Sequence, residues 1–185
     1  MARRKPRERT RPEVGTALPR LWAPWRSGYI TAVRRGSQRC IFCFGRLGES
    51  ARRSRLVLYA GPLASVMLNR YPYNNGHLMI APRRHVATLE QLSRAERGLI
   101  GELQAIAVER LRAAMKPAGL NVGLNLGRMA GAGFADHMHW HLVPRWEGDT
   151  NFMPVISSTR VLSQHLEESF ALLEPLFKAI DTALS

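Results

Sequence analysis

The chain has 185 residues, 45% of them apolar, which is the size and composition of one ordinary globular domain. No apolar run approaches the roughly 20 residues of a membrane helix, and the N-terminus has no apolar leader core, so we expect a soluble, cytoplasmic protein without a membrane partner. The net charge is +13, of which +5 lies in residues 1–20 and +6 in residues 34–55. Such basic runs attract polyanions, which makes nucleic acid one candidate partner of the tail, and a merely solvated basic tail is the other interpretation.

Residues 1–20 mix Arg, Pro and Glu with few large apolar side chains, which predicts a disordered basic tail. Residues 21–185 then form a single domain. Trp22 and Trp25 open this domain, and we expect them to pack against the core or a subunit interface.

Cys40 and Cys43, as C-x-x-C, are the two cysteines of the chain. Two cysteines this close do not form a structural disulfide that stabilises a fold. We expect the Arg-rich segment that flanks them to be a loop, which lacks the strand-to-helix setting of a redox pair. A zinc knuckle fits better. It would need two further ligands from elsewhere, for which histidines are the best candidates.

The middle of the chain predicts strands first and then a helix. Alternating or continuous apolar runs predict strands at residues 56–60, 64–69 and 77–82. From Ser93, a capping box with Glu96 opens a helix whose apolar residues recur at helical spacing until Pro117. After this helix we expect a short strand at residues 121–125, a further strand from His137 onward and a helix at about residues 161–183, with Pro175 inside it. The chain is therefore expected to have an α+β fold with a mainly antiparallel sheet of about five strands.

The loop from Asn125 to Gly133 contains Gly127, Gly131 and Gly133. Glycines let a backbone approach a ligand closely and present N–H groups to an anion, so this loop is a candidate phosphate cradle. It has neither the ending of a Walker loop nor the spacing of the dinucleotide fingerprint.

His137-Met138-His139-Trp140-His141 follows that loop and places three imidazoles on one side of an extended segment. Two chemical interpretations remain open. Two or three of the histidines could hold a metal with an open position, or His139 could attack a phosphorus atom while its neighbours orient and polarise the site.

The chain resembles the histidine-triad (HIT) superfamily of nucleotide hydrolases and nucleotidyl transferases. The resemblance covers about residues 56–146 and rests on three stretches: residues 69–82, residues 125–133 and the His-x-His-x-His segment. The flanks, at residues 21–26 and 143–152, are similar to the branch that contains diadenosine tetraphosphate phosphorylases. The resemblance implies a HIT-like fold with a long helix after the third main strand and a C-terminal helix. It also implies a homodimer or a higher homo-oligomer.

The resemblance further implies a two-step displacement on a nucleotide or dinucleoside polyphosphate. His139 would form a covalent nucleotidyl-histidine, and His141 would contact the phosphate and assist the leaving oxygen. Asn69 matches a ribose-contacting position. The matching phosphate-binding segment contains Asn125, Gly127, Gly131, Ala132 and Gly133. His77 also matches a family position and is expected to be a structural, hydrogen-bonded residue behind the site.

Zinc-bearing members of the superfamily imply a metal site away from the attacking atom. Their ligand positions fall on Cys40, Cys43, His85 and His137, a closed Cys2His2 set and hence a structural zinc site. The same resemblance leaves open a nucleoside phosphoramidate hydrolase, another nucleotidyl transferase, or an enzyme acting on adenylated nucleic-acid ends.

Overall fold

The protein is described by a computed structural model that covers residues 40–149, 165–178 and 180. The predicted basic tail and the Trp22–Trp25 stretch lie outside these residues. The described elements in chain order are α1 (Glu49–Ser54), β1 (Val57–Ala60), β2 (Ala64–Leu68), β3 (Leu78–Pro82), α2 (Arg94–Met115), β4 (Gly119–Leu124), β5 (Trp140–Arg145) and α3 (Leu166–Lys178), with short 3-10 turns at Leu89–Gln91 and Arg128–Ala130.

The five strands of the described residues form one antiparallel sheet in the order β1-β2-β3-β5-β4. The predicted α+β class, the long helix after the third strand and the C-terminal helix are therefore confirmed. None of the described helices is both long enough and apolar enough to cross a membrane.

The two faces of the sheet belong to two different apolar clusters, because side chains alternate along each strand. On β3, Leu78 and Ile80 face α2 and α3 and join the larger core. Met79 and Ala81 face the opposite way, into a smaller apolar cluster with Phe42. The segment that contains Cys40 and Cys43 therefore lies against the side of the sheet that the helices leave uncovered.

Helix α2 begins where the capping box predicted. The Ser93 hydroxyl accepts a hydrogen bond from the Glu96 N–H at 3.2 Å, and the Glu96 carboxylate accepts one from the Ser93 N–H at 2.7 Å. Lys116, in the left-handed region at φ 46°, ends the helix one residue before Pro117.

Two sequence predictions need correction. The Arg-rich segment after the cysteines, expected to be a loop, contains α1, whose first turn holds Glu49 and whose last turn holds Arg52 and Arg53, the charge order that a helix dipole favours. The strand that carries the histidines begins at Trp140 and not at His137.

The late start of β5 has a local cause. Its partner β3 ends at Pro82, which has no N–H to extend the ladder. Before Trp140 the chain remains tethered by the Met138 N–H, which donates to the Val86 carbonyl at 2.8 Å. Met138 is buried in the helix-side core while Phe42 contacts His137 and His139, so the expected alternation of faces holds.

Candidate active site and metal centre

His139 is almost completely buried, with 4% of its surface exposed. Its Nδ1 lies 2.9 Å from the His137 carbonyl oxygen, which can only accept, so Nδ1 carries the proton. Burial lowers the pKa of His139. The ring is therefore held neutral, with an unprotonated Nε2 whose lone pair can attack an electrophile.

His141 belongs to a chain of hydrogen bonds that begins at the main chain. The Tyr73 N–H donates to Nδ1 of His77 at 3.0 Å, so His77 must carry its proton on Nε2. That Nε2–H lies 3.0 Å from Nδ1 of His141 and donates to it. His141 consequently keeps its own proton on Nε2, the nitrogen that can serve as a donor to a ligand.

His77 is fully buried, and Tyr73 lies against it with ring centroids 4.7 Å apart. His77 thus sets the tautomer of His141, a more direct role than the background position expected from the sequence. Asn69 supports this arrangement: its Oδ1 accepts from the Tyr71 N–H at 2.9 Å, and its Nδ2 lies 3.4 Å from Nδ1 of His77.

The glycine-rich loop leaves β4 and leads into the histidine segment. Gly127 and Gly131 have φ values of 78° and 90°, a region that favours glycine, so these two positions explain part of the composition of the loop. The Gly131 N–H bonds the Arg128 carbonyl and the Ala132 N–H bonds the Gly127 carbonyl, at 3.0 and 3.3 Å. Ala132 and Gly133 are half-buried where the loop turns back toward the sheet.

A cavity of about 430 Å³ lies beside His141. Its lining combines Asn125 and His141 with Tyr73, Asn74, Asn121, Val122, Gly123, Leu124, Val143, Arg145 and Asp149. The cavity therefore brings together two of the predicted site residues. His139, Asn69 and the predicted residues Gly127, Gly131, Ala132 and Gly133 lie outside its lining.

Cys40, Cys43, His85 and His137 come together although up to 97 positions separate them in sequence. Their ligand atoms all lie within 4.8 Å of one another. Cys40 Sγ is 3.2 Å from Nδ1 of His137, and Cys43 Sγ is 3.2 Å from Nδ1 of His85. The structure thus gathers into one cluster the four residues that the family resemblance implied as candidate ligands.

These positions fit a tetrahedral metal. Zinc bonds of 2.3 Å to sulfur and about 2.05 Å to nitrogen place neighbouring S and N ligands about 3.6 Å apart, close to the observed 3.2–3.5 Å. Nε2–H of His137 donates to the Pro82 carbonyl at 2.9 Å, which leaves Nδ1 unprotonated and available as a ligand. Burial lowers the pKa of His137 to about 4 and raises the pKa of Cys40 to about 11.

This clustering separates the three triplet histidines by role. His137 points its Nδ1 to the cysteines, whereas His139 and His141 lie next to each other with ring centroids 4.8 Å apart. Within the described residues, the Cys2His2 set is the group that could hold a metal, and His139 and His141 are not part of it. The interpretation in which the triplet itself binds a metal with an open position is therefore not favoured.

Sequence reasoning missed two contacts of the site. It did not single out Phe42, which lies between the two cysteines and stacks against His139. It cited Asp149 only within the flanking match and predicted no contact for it, whereas the Asp149 carboxylate accepts from Arg145 at 2.5 and 2.7 Å and from Asn74 at 2.8 Å. The spacing C-x-Phe-C could have pointed to Phe42, since a large aromatic side chain between two candidate ligands is expected to pack close to their site. The Asp149 contacts depend on the meeting of two distant turns.

Known proteins place this geometry in a family. A model of the HIT domain matches residues 51–148. An AP-4-A phosphorylase of Mycobacterium tuberculosis is 38% identical over 161 residues, which cover 84% of this chain and 83% of that protein. Adenosine 5'-monophosphoramidase hnt1 of Schizosaccharomyces pombe is 31% identical over 106 residues, 57% of this chain and 74% of that protein.

Solved structures share the fold. A zinc-bound histidine triad family protein from Mycobacterium smegmatis superposes with a TM-score of 0.54 at 18% identity, covering 84% of this chain and 96% of that one. The family-model match and the M. tuberculosis relative, together with the neutral His139 beside a proton-bearing His141, show that this chain belongs to the HIT domain family and is a nucleotide-processing enzyme.

Proposed function

We propose that the protein cleaves dinucleoside polyphosphates of the diadenosine tetraphosphate kind through a covalent nucleotidyl-His139 intermediate. The observation that carries the proposal is the hydrogen bond from Nδ1–H of His139 to the His137 carbonyl, which leaves Nε2 as the nucleophilic atom. The choice of substrate is supported by the similarity to the M. tuberculosis AP-4-A phosphorylase.

The first step forms a bond from Nε2 of His139 to the α-phosphorus and breaks the bond from that phosphorus to the bridging oxygen. Nε2–H of His141 donates to the leaving oxygen, and its tautomer is set by His77. Phosphoryl-group chemistry of this kind depends mainly on positioning and on donors directed at developing charge. Inorganic phosphate or water then attacks the same phosphorus and restores the free imidazole.

The substrate-binding residues are part of the same proposal. Asn125 lies in the lining of the cavity beside His141 and would hold a phosphate. Gly127, Gly131, Ala132 and Gly133 would line the phosphates with their main chain. The N–H groups of Gly131 and Ala132 would donate to a phosphate in exchange for their present bonds to the Arg128 and Gly127 carbonyls. Asn69 would contact the ribose. It would do so while its Oδ1 still accepts the hydrogen bond from the Tyr71 N–H.

Cys40, Cys43, His85 and His137 would hold a structural zinc ion. When bound, it would crosslink the N-terminal knuckle to the end of β3 and to the start of the catalytic segment. All four protein ligands are used, so no open position remains for substrate. We expect about one zinc per chain by elemental analysis of the protein purified without chelator. A zinc content near zero in folded, active protein would contradict this assignment.

Product analysis with diadenosine tetraphosphate tests the reaction. ATP plus ADP appearing only when phosphate is present means phosphorolysis, and AMP plus ATP without phosphate means hydrolysis. Either result should be accompanied by a labelled His139 peptide after acid-free quenching. Turnover with the label on another residue would contradict the proposed intermediate.

A nucleoside phosphoramidate hydrolase is the second candidate, favoured by the similarity to the S. pombe monophosphoramidase. Both reactions share the nucleotidyl-His139 step, so the two differ in the leaving group. The ratio of kcat/KM for diadenosine tetraphosphate to that for adenosine 5'-phosphoramidate separates them.

Action on adenylated nucleic-acid ends, suggested by the basic segments, predicts that deleting residues 1–20 abolishes salt-sensitive binding to DNA or RNA.

A homodimer is proposed from the edge of the sheet. Strand β4 is the last strand of the described sheet, and Val122 on it is 47% exposed. An exposed apolar edge strand can pair with a second copy and so extend the sheet. Light scattering should give twice the chain mass, and Val122→Lys should shift it toward the monomer. A wild-type monomer would contradict this proposal without touching the chemistry.

A further inference from the structure

Phe42 lies between Cys40 and Cys43 and is fully buried. Its ring contacts three others. The His139 ring is 4.6 Å away at an interplanar angle of 30°, the His137 ring is 5.1 Å away at 52°, and Phe134 meets it edge-on at 5.8 Å. Phe42 therefore joins the cysteine knuckle to the reacting histidine and to the segment that follows the glycine loop.

The restraints on the His139 ring leave a role for such a contact. Among the described residues, Nδ1–H makes the one hydrogen bond of this ring, and a single bond does not fix the plane of the ring about the bond axis. The ring of His141 meets it nearly perpendicular, at 71°. The broad contact with Phe42, tilted by only 30°, covers one face and so determines where Nε2 points.

The position of Phe42 depends in turn on the knuckle. Cys40 and Cys43 hold its two ends, and the Cys43 N–H donates to the Cys40 carbonyl at 3.2 Å. On the far side, the Arg83 guanidinium donates to the Phe44 carbonyl and lies 4.3 Å from the centre of the Phe44 ring. The four-ligand cluster and the Arg83 contact thus hold the backbone on either side of Phe42.

We propose that Phe42 is a positioning residue through which the metal knuckle sets the plane of the His139 ring. The effect expected on the reaction rate rests on the proposed nucleotidyl-His139 chemistry. The effect expected on the orientation of the His139 ring rests on the ring geometry alone. This role of Phe42 gives the cysteine pair a function beyond fold stability, since loss of the metal would release the residue that aligns the nucleophile.

The kinetic test compares Phe42→Ala and Phe42→Leu with Met67→Ala. Met67 is also buried, at 4% exposed, in the same apolar cluster and has no aromatic ring to contact the histidines, so it controls for loss of core packing. The rate of nucleotidyl-enzyme formation is measured in single turnovers with diadenosine tetraphosphate. We expect Phe42→Ala to lower the saturating rate by about 100-fold, with less than about a threefold change in the half-saturating concentration, because a misplaced nucleophile slows the step without weakening binding.

Phe42→Leu, which retains apolar volume, should recover part of the rate, and Met67→Ala should stay within about threefold of the wild type. Removing zinc with a chelator should slow the wild type by a larger factor than it slows Phe42→Ala, because part of the effect of the metal on His139 passes through Phe42 and the rest through the His137 carbonyl. Equal rates for Phe42→Ala and Met67→Ala, or equal slowing of wild type and Phe42→Ala by the chelator, would overturn the proposal.

A second readout does not require activity. The carbon-bound ring protons of His139 should show a ring-current shift in NMR spectra from the face of Phe42, absent in Phe42→Leu, retained in Met67→Ala and reduced by the chelator in the wild type. Resonances unmoved by Phe42→Leu or by chelation would overturn the proposal. A wild type that forms no nucleotidyl-enzyme would instead refute the proposed function, and the NMR comparison would then decide the role of Phe42.

Discussion

His137, His139 and His141 share one side of an extended segment, but each ring has a different partner. A main-chain carbonyl orients His139, His77 orients His141, and Pro82 with the cysteine pair orients His137. At this scale the partner of each ring, rather than its spacing in the chain, decides which nitrogen carries the proton and so which chemistry the imidazole can offer.

His139→Ala should lower kcat by at least about 10⁴-fold, because it removes the atom that would carry the nucleotide. The fold should survive, since His139 lies outside the main helix-side core. Steady-state kinetics and thermal unfolding check both parts. His165→Ala, at an exposed position, is the matched control and should keep full activity. A fully active His139→Ala variant would end the proposed mechanism.

His77→Phe retains an aromatic ring but removes the donor to Nδ1 of His141. We expect kcat for diadenosine tetraphosphate to fall by about 10- to 100-fold, because the leaving oxygen loses a well-oriented hydrogen-bond donor. Adenosine 5'-phosphoramidate, whose leaving nitrogen must gain a proton, should lose more than diadenosine tetraphosphate, whose polyphosphate leaves as a stable anion. An equal loss with both substrates would mean that His77 does not act through the protonation of the leaving group.

At the scale of elements, the end of β3 and the start of α2 are joined by an ion pair between the half-exposed Arg84 and the buried Glu96. Arg84 precedes the candidate metal ligand His85, and its guanidinium donates to both carboxylate oxygens of Glu96 at 2.7 Å. Glu96 is only 2% exposed, and the Arg84 hydrogen bonds lower its pKa to about 2. The cap of α2 is therefore also a brace for the strand end that presents His85.

Glu96→Gln should lower the free energy of unfolding at neutral pH by about 1–3 kcal/mol, because the charged pair becomes a neutral one. Since folding lowers the pKa of Glu96 from 4.5 to about 2, the stabilisation is complete above pH 4.5 and is lost as the pH falls toward 2. Urea unfolding should show the difference between variant and wild type shrinking over that range. Glu102→Gln, exposed on the same helix, is the control, and a pH-independent difference would contradict the assignment.

At the scale of the whole molecule, the Cys2His2 cluster closes long loops. The contacting pairs Cys43–His85 and Cys40–His137 are 42 and 97 positions apart, so a bound metal would link the start of the described residues to the segments after β3 and before β5.

Chelation or Cys40→Ala should therefore lower the free energy of unfolding by at least about 2 kcal/mol, since a ligand that binds only the folded state stabilises it. Elemental analysis should show the metal lost in both cases. Nucleotidylation should be slowed but not abolished, because His139 and His141 are not metal ligands. Complete loss of chemistry on chelation in protein that remains folded would favour a three-histidine metallohydrolase.

Much of the fold follows from local patterns. The Ser93–Glu96 capping box begins α2 as predicted, and the alternation of apolar residues on β3 separates the two faces of the sheet. The observed strand boundaries differ from the predicted ones by one to three residues. The largest difference is at the start of β5, which depends on Pro82 of the neighbouring strand β3. Helix α1 was missed because its six residues bury none of their side chains, so no apolar periodicity marks them.

The sequence by itself determined that three imidazoles lie on one side of an extended segment behind a glycine-rich loop, because side-chain direction and backbone freedom are local properties. Tertiary structure alone decided that His137 turns to Cys40, that His77 reaches His141 and that Phe42 covers His139. Each of these contacts joins residues at least 64 positions apart, and only the packing of the sheet brings such residues within bonding distance.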